Sequence, residues 1–403
     1  MKRRFHRSGL PALLLAAAVA AALLPLGLGG CGEKIAIPEP TTIWANLAYS
    51  VQDTFEVVGV QQLLTSWSNL FVLTDNELTK RNLEFEVDSS VALGAEPTAM
   101  CVDETGDLVF VWEQGTRTLS VFDSTELEPA GSATLTGVES VVAMATSPAG
   151  MDTTIVGGRT FLYLADAVSG VIHRFAVMGS SDDSFFCSDC LLPWGILAWP
   201  TGEGARSIHE PGAMALDSEG RLLVCEERAD RNWVLRFDSA PDLTDPTLID
   251  PEAEEPVEAW AGTAEIFGQP TCAPEPAQAD YVLGNAASCN QDDWVGGPSS
   301  EDGEFDRPTA LAIDGAGKIF VADYGNSRVQ IFDPDGTYRA RFQIRGDHTQ
   351  PISLGLVDDR QSGDLVHYAA FVFVLADGSD QVVKLISSEH YLSENGELPP
   401  YEE

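Results

Sequence analysis

Apolar positions along this chain fall into short runs, and turn-forming polar residues separate them. The pattern is clearest between Asp306 and Phe342. Ala310–Ile313, Ile319–Ala322, Val329–Phe332 and Tyr338–Phe342 are each of strand length and rich in β-branched or aromatic residues. Between them stand Asp314-Gly315-Ala316-Gly317, Tyr324-Gly325-Asn326-Ser327 and Asp333-Pro334-Asp335-Gly336. Glycine supplies positive φ, proline presets its own φ, and Asp or Asn caps the turn through its side chain. No run reaches helix length, so the stretch predicts an antiparallel meander. Asp333–Gly336 reads as a β-turn and not a calcium loop, because the remaining ligands and a distal Glu are missing.

One meander cannot bury both of its faces, so copies are expected elsewhere. Degraded copies recur. Phe55–Val60, Leu70–Thr74, Leu83–Val87 and Val91–Gly94 form the earliest. Glu96–Asp103 opens the next, followed by Leu108–Val111, Leu119–Phe122 and Ala133–Val138. Ser140–Thr146, Phe161–Asp166, Val171–Val177 and Leu191–Trp199 form another. Glu210–Asp217, Leu222–Cys225, Trp233–Phe237 and Val257–Trp260 precede the clear unit. Ile352–Val357, Phe371–Asp377 and Gln381–Ile386 follow it and lack an outer strand. The set predicts an all-β, six-bladed β-propeller with four-stranded antiparallel blades. An early strand, Ile43–Val51, is expected to close the last blade and remove its free edge.

The Asp306–Phe342 unit also resembles the NHL repeat. Pro308, Asp314, Ala322-Asp323 and Asn326-x-Arg328 sit at the places of that motif, while Thr309 replaces a family glycine. The resemblance implies an NHL-like six-bladed propeller. It also implies that Asp323 and Arg328 tie loop to strand. Some relatives of this kind are metal-dependent lyases with histidines in the axial channel. Here His209 and His348 precede inner strands, and with Glu210 or Asp347 they are the candidate ligands for zinc or calcium. Solvated loop histidines are the preferred reading, and no cofactor is expected.

The chain has 403 residues with 62 acidic against 23 basic, a formal charge of −39. That balance excludes nucleic acid as a partner and suits a cation or a basic partner. The N-terminus carries a basic stretch from Lys2 to Arg7, an apolar stretch from Leu10 to Leu28, then Gly29-Gly30-Cys31. This looks like a bacterial lipobox, with Cys31 as the lipidated residue. Gly32, where an Asp favours inner-membrane retention, suggests the outer membrane. The expected organisation is a signal peptide at 1–30, a lipidated tether at 31–41, a propeller at 42–388 and an acidic tail at 389–403. Insertions fall near 178–209, 239–255 and 263–306. The domain is expected in the cell envelope, held to the membrane by lipid.

An exported compartment permits disulfides. Cys272 and Cys289 share the longest insertion and are the favoured pair. Cys187-Ser188-Asp189-Cys190 fits a tight disulfide, with a metal or redox centre as the alternative. Cys101 and Cys225 fall in predicted strands and read as buried thiols.

Catalytic signatures are missing: there is no G-x-S-x-G elbow, P-loop, G-x-G-x-x-G or H-E-x-x-H. Loops after second strands should share one face, with Asp166, Glu226, Asp323, Tyr324, Asn326, Arg328 and Asp377 among their residues. Asp166, Asp323 and Asp377 are expected to ring one mouth with carboxylates. The function expected is a scaffold binding an extracytoplasmic protein or glycan. The alternative is a metal-dependent axial-channel lyase or lactonase-type hydrolase.

Overall fold

The computed structural model describes residues 49–66, 68–94, 96–103, 107–147, 160–169, 171–177, 191–197, 211–226, 232–237, 264–265, 282–284, 298–344, 349–358, 369–388 and 390. The first strand, β1 (Tyr49–Glu56), belongs to the last blade. Blade one is β2 (Val60–Ser66), β3 (Asn69–Thr74), β4 (Glu77–Arg81) and β5 (Val87–Ala92). Blade two is β6 (Pro97–Asp103), β7 (Leu108–Glu113), β8 (Thr118–Asp123) and β9 (Pro129–Thr134). Blade three is β10 (Val141–Thr146), β11 (Phe161–Asp166), β12 (Val171–Val177) and β13 (Leu191–Leu197). Blade four is β14 (Pro211–Leu216), β15 (Leu222–Glu226) and β16 (Trp233–Phe237), with β17 (Ala264–Glu265) and β18 (Val282–Gly284) both pairing β16. Blade five is β19 (Pro308–Ile313), β20 (Ile319–Asp323), β21 (Arg328–Phe332) and β22 (Tyr338–Gln343). Blade six is β23 (Pro351–Asp358), β24 (Ala369–Ala376) and β25 (Gln381–Ser387), completed by β1.

The architecture is therefore a six-bladed antiparallel propeller, closed by an N-terminal strand. The closing strand lies further along than Ile43–Val51. Tyr49 pairs with Ser387 and Glu56 with Gln381. Phe55, expected at the start of blade one, instead belongs to β1 and stacks on Phe85 at 4.5 Å. Gly59, at φ 71, turns the chain into β2. That strand, Val60-Gln61-Gln62-Leu63-Leu64-Thr65-Ser66, is polar enough to hide its strand character.

Other departures share this cause. The third strand of blade one is Glu77–Arg81, not Leu83–Val87, because Phe85 sits in a turn at φ 66. The outer strand of blade two is Pro129–Thr134, not Ala133–Val138. Leu135 and Val138 are buried because the connection to blade three crosses the seam. In blade four the outer edge comes from β17 and β18, inside the stretch read as an insertion. Val257–Trp260 lies outside the described residues.

The core sits in the seams between blades. Leu223, Cys225 and Val234 of blade four meet Leu311, Ile319, Val321 and Phe332 of blade five, with Phe305 from the connection. Leu63, Leu70 and Val72 of blade one meet Phe373, Leu375 and Val382 of blade six. Each such side chain contributes roughly 1.5–3 kcal/mol through burial. Cys101 and Cys225 are buried and in no disulfide, as the sequence suggests.

Candidate functional site

An inner strand presents an unpaired edge to the axis, and that edge must find partners. Here side chains of neighbouring inner strands supply them. Thr65 Oγ1 donates to Leu356 O at 2.5 Å and accepts from Leu356 N at 2.9 Å. Ser353 Oγ accepts from Leu63 N at 2.9 Å and donates to Leu63 O at 3.2 Å. Gln62 makes the same double contact with Met100, at 3.2 and 2.8 Å. Thr98 donates to Val141 O, Thr146 to Val102 O and Thr309 to Pro351 O, at 2.7–2.8 Å. At the seams between blades six and one, one and two, two and three, and five and six, side chains of the inner strands are thus spent on joining blades. Inner strands β2, β6, β10, β14, β19 and β23 carry no histidine.

His209, Glu210, Asp347 and His348 lie outside the described residues, as do Cys31, Cys187, Cys190, Cys272 and Cys289. So do the segments expected as signal and tether, most of the expected tail and most of the insertions. The side chain of Glu226 also lies outside them. Among the described residues no group of three or more His, Cys, Asp or Glu could hold a metal ion.

The remaining candidates lie on the face that carries the loops after second strands. Asp323 ends β20 and is wholly buried. Its carboxylate accepts from Asp306 N at 2.8 Å, Asn326 Nδ2 at 3.0 Å, Arg328 Nε at 2.6 Å and Gln330 Nε2 at 3.0 Å. Burial pushes its carboxyl above the usual range, against the pull of those donors. Arg328 is equally buried. It also donates to the carbonyls of Ser300, Glu301 and Glu304 at 2.8–2.9 Å. The pair therefore fastens the 298–305 segment and the hairpin to the blade, as the motif implies. Gln330, which the sequence reading passed over, adds bonds to Gly303 N and Glu304 O. Gly325 is required where it stands, because a Cβ there would meet the Asp306 carboxylate at 2.2 Å.

Asp166 takes the same place in blade three and is also wholly buried. Burial would raise its carboxyl, but the N–H groups of Glu139, Ser140 and Val168 outweigh it and hold the carboxyl low. His173 stands 3.9 Å away, held below the ordinary imidazole value by burial, and its Nε2 has no hydrogen-bond partner.

The expected ring of mouth carboxylates does not form. Two of its three members are buried and used internally. The third is displaced by one register position: Pro351 pairs with Ala376, whereas Val141 pairs with Asp166 and Pro308 with Asp323. Asp377 is consequently exposed beyond the strand end. It accepts the Tyr324 hydroxyl at 2.6 Å, which raises the phenol above its ordinary value. The Arg307 guanidinium lies 4.4 Å over the Tyr324 ring. Arg307 was not anticipated; its signal was its place before Pro308, where neighbouring units carry Glu96 and Glu210.

The class of molecule is thus a six-bladed propeller with an exposed loop face and inner strands cross-linked by side chains at several seams. The NHL repeat model matches residues 305–332, the blade with the Asp323–Arg328 clasp. Protein lin-41 of Caenorhabditis elegans is 49% identical over 43 residues, covering 11% of this chain and 4% of that protein. Among solved structures, the Myceliophteria thermophila Cps50 (Swd1) propeller is 12% identical, with TM-score 0.48, over 84% of this chain and 99% of its own. Virginiamycin B lyase from Staphylococcus aureus is 10% identical, with TM-score 0.44, over 84% and 99%.

Proposed function

We propose that this protein is a lipid-anchored scaffold of the bacterial cell envelope, placed on the outer membrane, whose loop face binds an extracytoplasmic protein or glycan. The observation that carries this reading is the commitment of the inner strands' polar side chains to inter-blade bonds. Chemistry free to meet a ligand then lies on the loop face, where Arg307, Tyr324 and Asp377 sit on a rigid base.

The closing strand supports the anchored part of the reading. The hairpin after β24 lies on the loop face, and β25 runs from there to Ser387 on the opposite face. Tyr49 pairs with Ser387, so the chain enters the propeller from the face opposite the loops. A membrane tether attached there leaves the loop face turned outward. Acylation at Cys31 supplies the tether, and one diacylated N-terminus with a short linker keeps the domain near the bilayer.

The test places a photo-crosslinking residue at Tyr324 on the loop face or at Asp335 on the opposite face, in cells making the full chain. Adducts from position 324 alone are the expected result. Equal adducts from both positions, or none from 324, would remove the scaffold reading. In the same cells Cys31→Ser should move the protein from the membrane to the soluble fraction.

A further inference from the structure

Three segments converge at the seam between blades five and six. The connection into β19 brings Arg307, the hairpin after β20 brings Tyr324, and the hairpin after β24 brings Asp377. The arrangement is fixed from several sides. Tyr324 opens a 3-10 turn (Tyr324–Asn326) that Asp323 and Asn326 hold in place. Its hydroxyl is pinned by Asp377. Arg307 has φ 53, and its N–H is held by Asn232 Oδ1 at 2.8 Å while its C=O accepts from Tyr324 N at 3.1 Å. A left-handed backbone is unfavourable for a residue with a Cβ, and it persists where the surroundings impose it. Here it aims an exposed guanidinium across the aromatic ring.

The chemistry of the three groups is specific. In a chain with 62 acidic residues against 23 basic, most described arginines find a carboxylate or carbonyl. The Arg307 guanidinium lies over the Tyr324 ring instead and meets the hydroxyl of the same residue. A stacked guanidinium keeps its planar N–H fork available for bidentate contact with a carboxylate. The Tyr324 hydroxyl donates its hydrogen bond to Asp377, so toward other groups, Arg307 among them, its oxygen acts as an acceptor. A carboxylate on Arg307 with a hydroxyl beside it, donating to Tyr324, matches both groups. Sugar acids present that pair.

We propose that Arg307, held by Tyr324 and Asp377, forms a subsite for a uronic-acid residue of an acidic glycan. This deepens the binding reading above and rests on it. Arg307 is the anion contact, Tyr324 the hydroxyl contact and stacking platform, and Asp377 a positioning residue.

The test titrates the purified full chain by calorimetry with a short oligogalacturonate, its neutral methyl ester and the matching neutral galactan. Arg307→Asn tolerates the left-handed backbone and removes the charge. It should weaken the acid oligomer roughly tenfold or more, as loss of a charge-assisted bond does, with circular dichroism unchanged. Arg307→Lys should recover part of the affinity, because charge returns without the fork. Tyr324→Phe should weaken binding by a smaller factor. Asp377→Asn should act through Tyr324, with no further loss when combined with Tyr324→Phe. Ester binding equal to acid binding, an Arg307→Asn variant of unchanged affinity, or no oligogalacturonate binding would overturn the subsite. None of these bears on crosslinking from position 324, which judges the scaffold reading separately.

Discussion

Arg328 shows how much one side chain can hold together. Its guanidinium meets the Asp323 carboxylate and three backbone carbonyls of the 300–304 segment, all in a site that excludes water. Removing one partner of a buried pair leaves the other charged and unsolvated. Arg328→Ala should therefore cost about 3–5 kcal/mol, read as a shift in the midpoint of denaturant unfolding. A loss under 1 kcal/mol would mean that water enters the clasp. Much of this was legible beforehand, because an Asp ending one strand and an Arg opening the next face each other across a short loop. Arg307 was not legible. Its stacking depends on a left-handed backbone at a residue before proline, a conformation that Glu96 before Pro97 shares and that the residue pattern does not announce.

Among the elements, turns at the face opposite the loops set a pH dependence. Asp314 caps the β19–β20 turn, accepting from Ala316 N and Lys318 N, and also from Ala369 N of blade six. Burial pushes its carboxyl from 3.8 up to about 6, with nearby Asp358 adding to the rise and the backbone donors and Lys318 opposing it. A raised carboxyl binds its proton more tightly when folded. Its contribution to stability is full below pH 3.8 and is lost as pH rises through about 6. Asp314→Asn removes this dependence. The wild type should lose roughly 1–3 kcal/mol relative to the variant between those limits, measured by unfolding at a series of pH values. A constant difference would show that Asp314 keeps its ordinary affinity for protons. Short apolar-rich strands bounded by turn signals, such as β20 and β21, were readable from the sequence. Glu77–Arg81 and Pro129–Thr134 were not, because strands away from the axis need few apolar residues. Nor was the exact register of β24, where Ala376 and not Asp377 takes the place opposite Pro351 that Asp166 and Asp323 take opposite Val141 and Pro308.

For the whole molecule, ring closure by β1 is the event that makes six sheets one body. The sequence pointed to an N-terminal strand for this role but placed it several residues too early. The pattern alone could not show that Phe55 faces the closing seam and not the inner edge of blade one. A chain lacking residues 49–56 leaves the β25 edge unpaired, and an open edge pairs with other chains. Such a truncation should melt at lower temperature and associate in light scattering. A synthetic peptide of residues 49–56 should reverse both effects by taking the empty place in the sheet. A truncated chain that stays monomeric with unchanged melting would show that the ring holds without its fastening.

That fastening has a mechanical side. Tyr49 is the first described residue of the closing strand. Its hydroxyl donates to Ala369 O at 2.8 Å, and its ring contacts Phe320 and Phe342 of blade five, with centroids 6.0 and 5.5 Å away. Tension on the leading segment thus meets an aromatic rivet spanning two blades before it reaches the rest of the β1–β25 ladder. A pull along β1 is resisted at that end of the strand, and the ring stays shut.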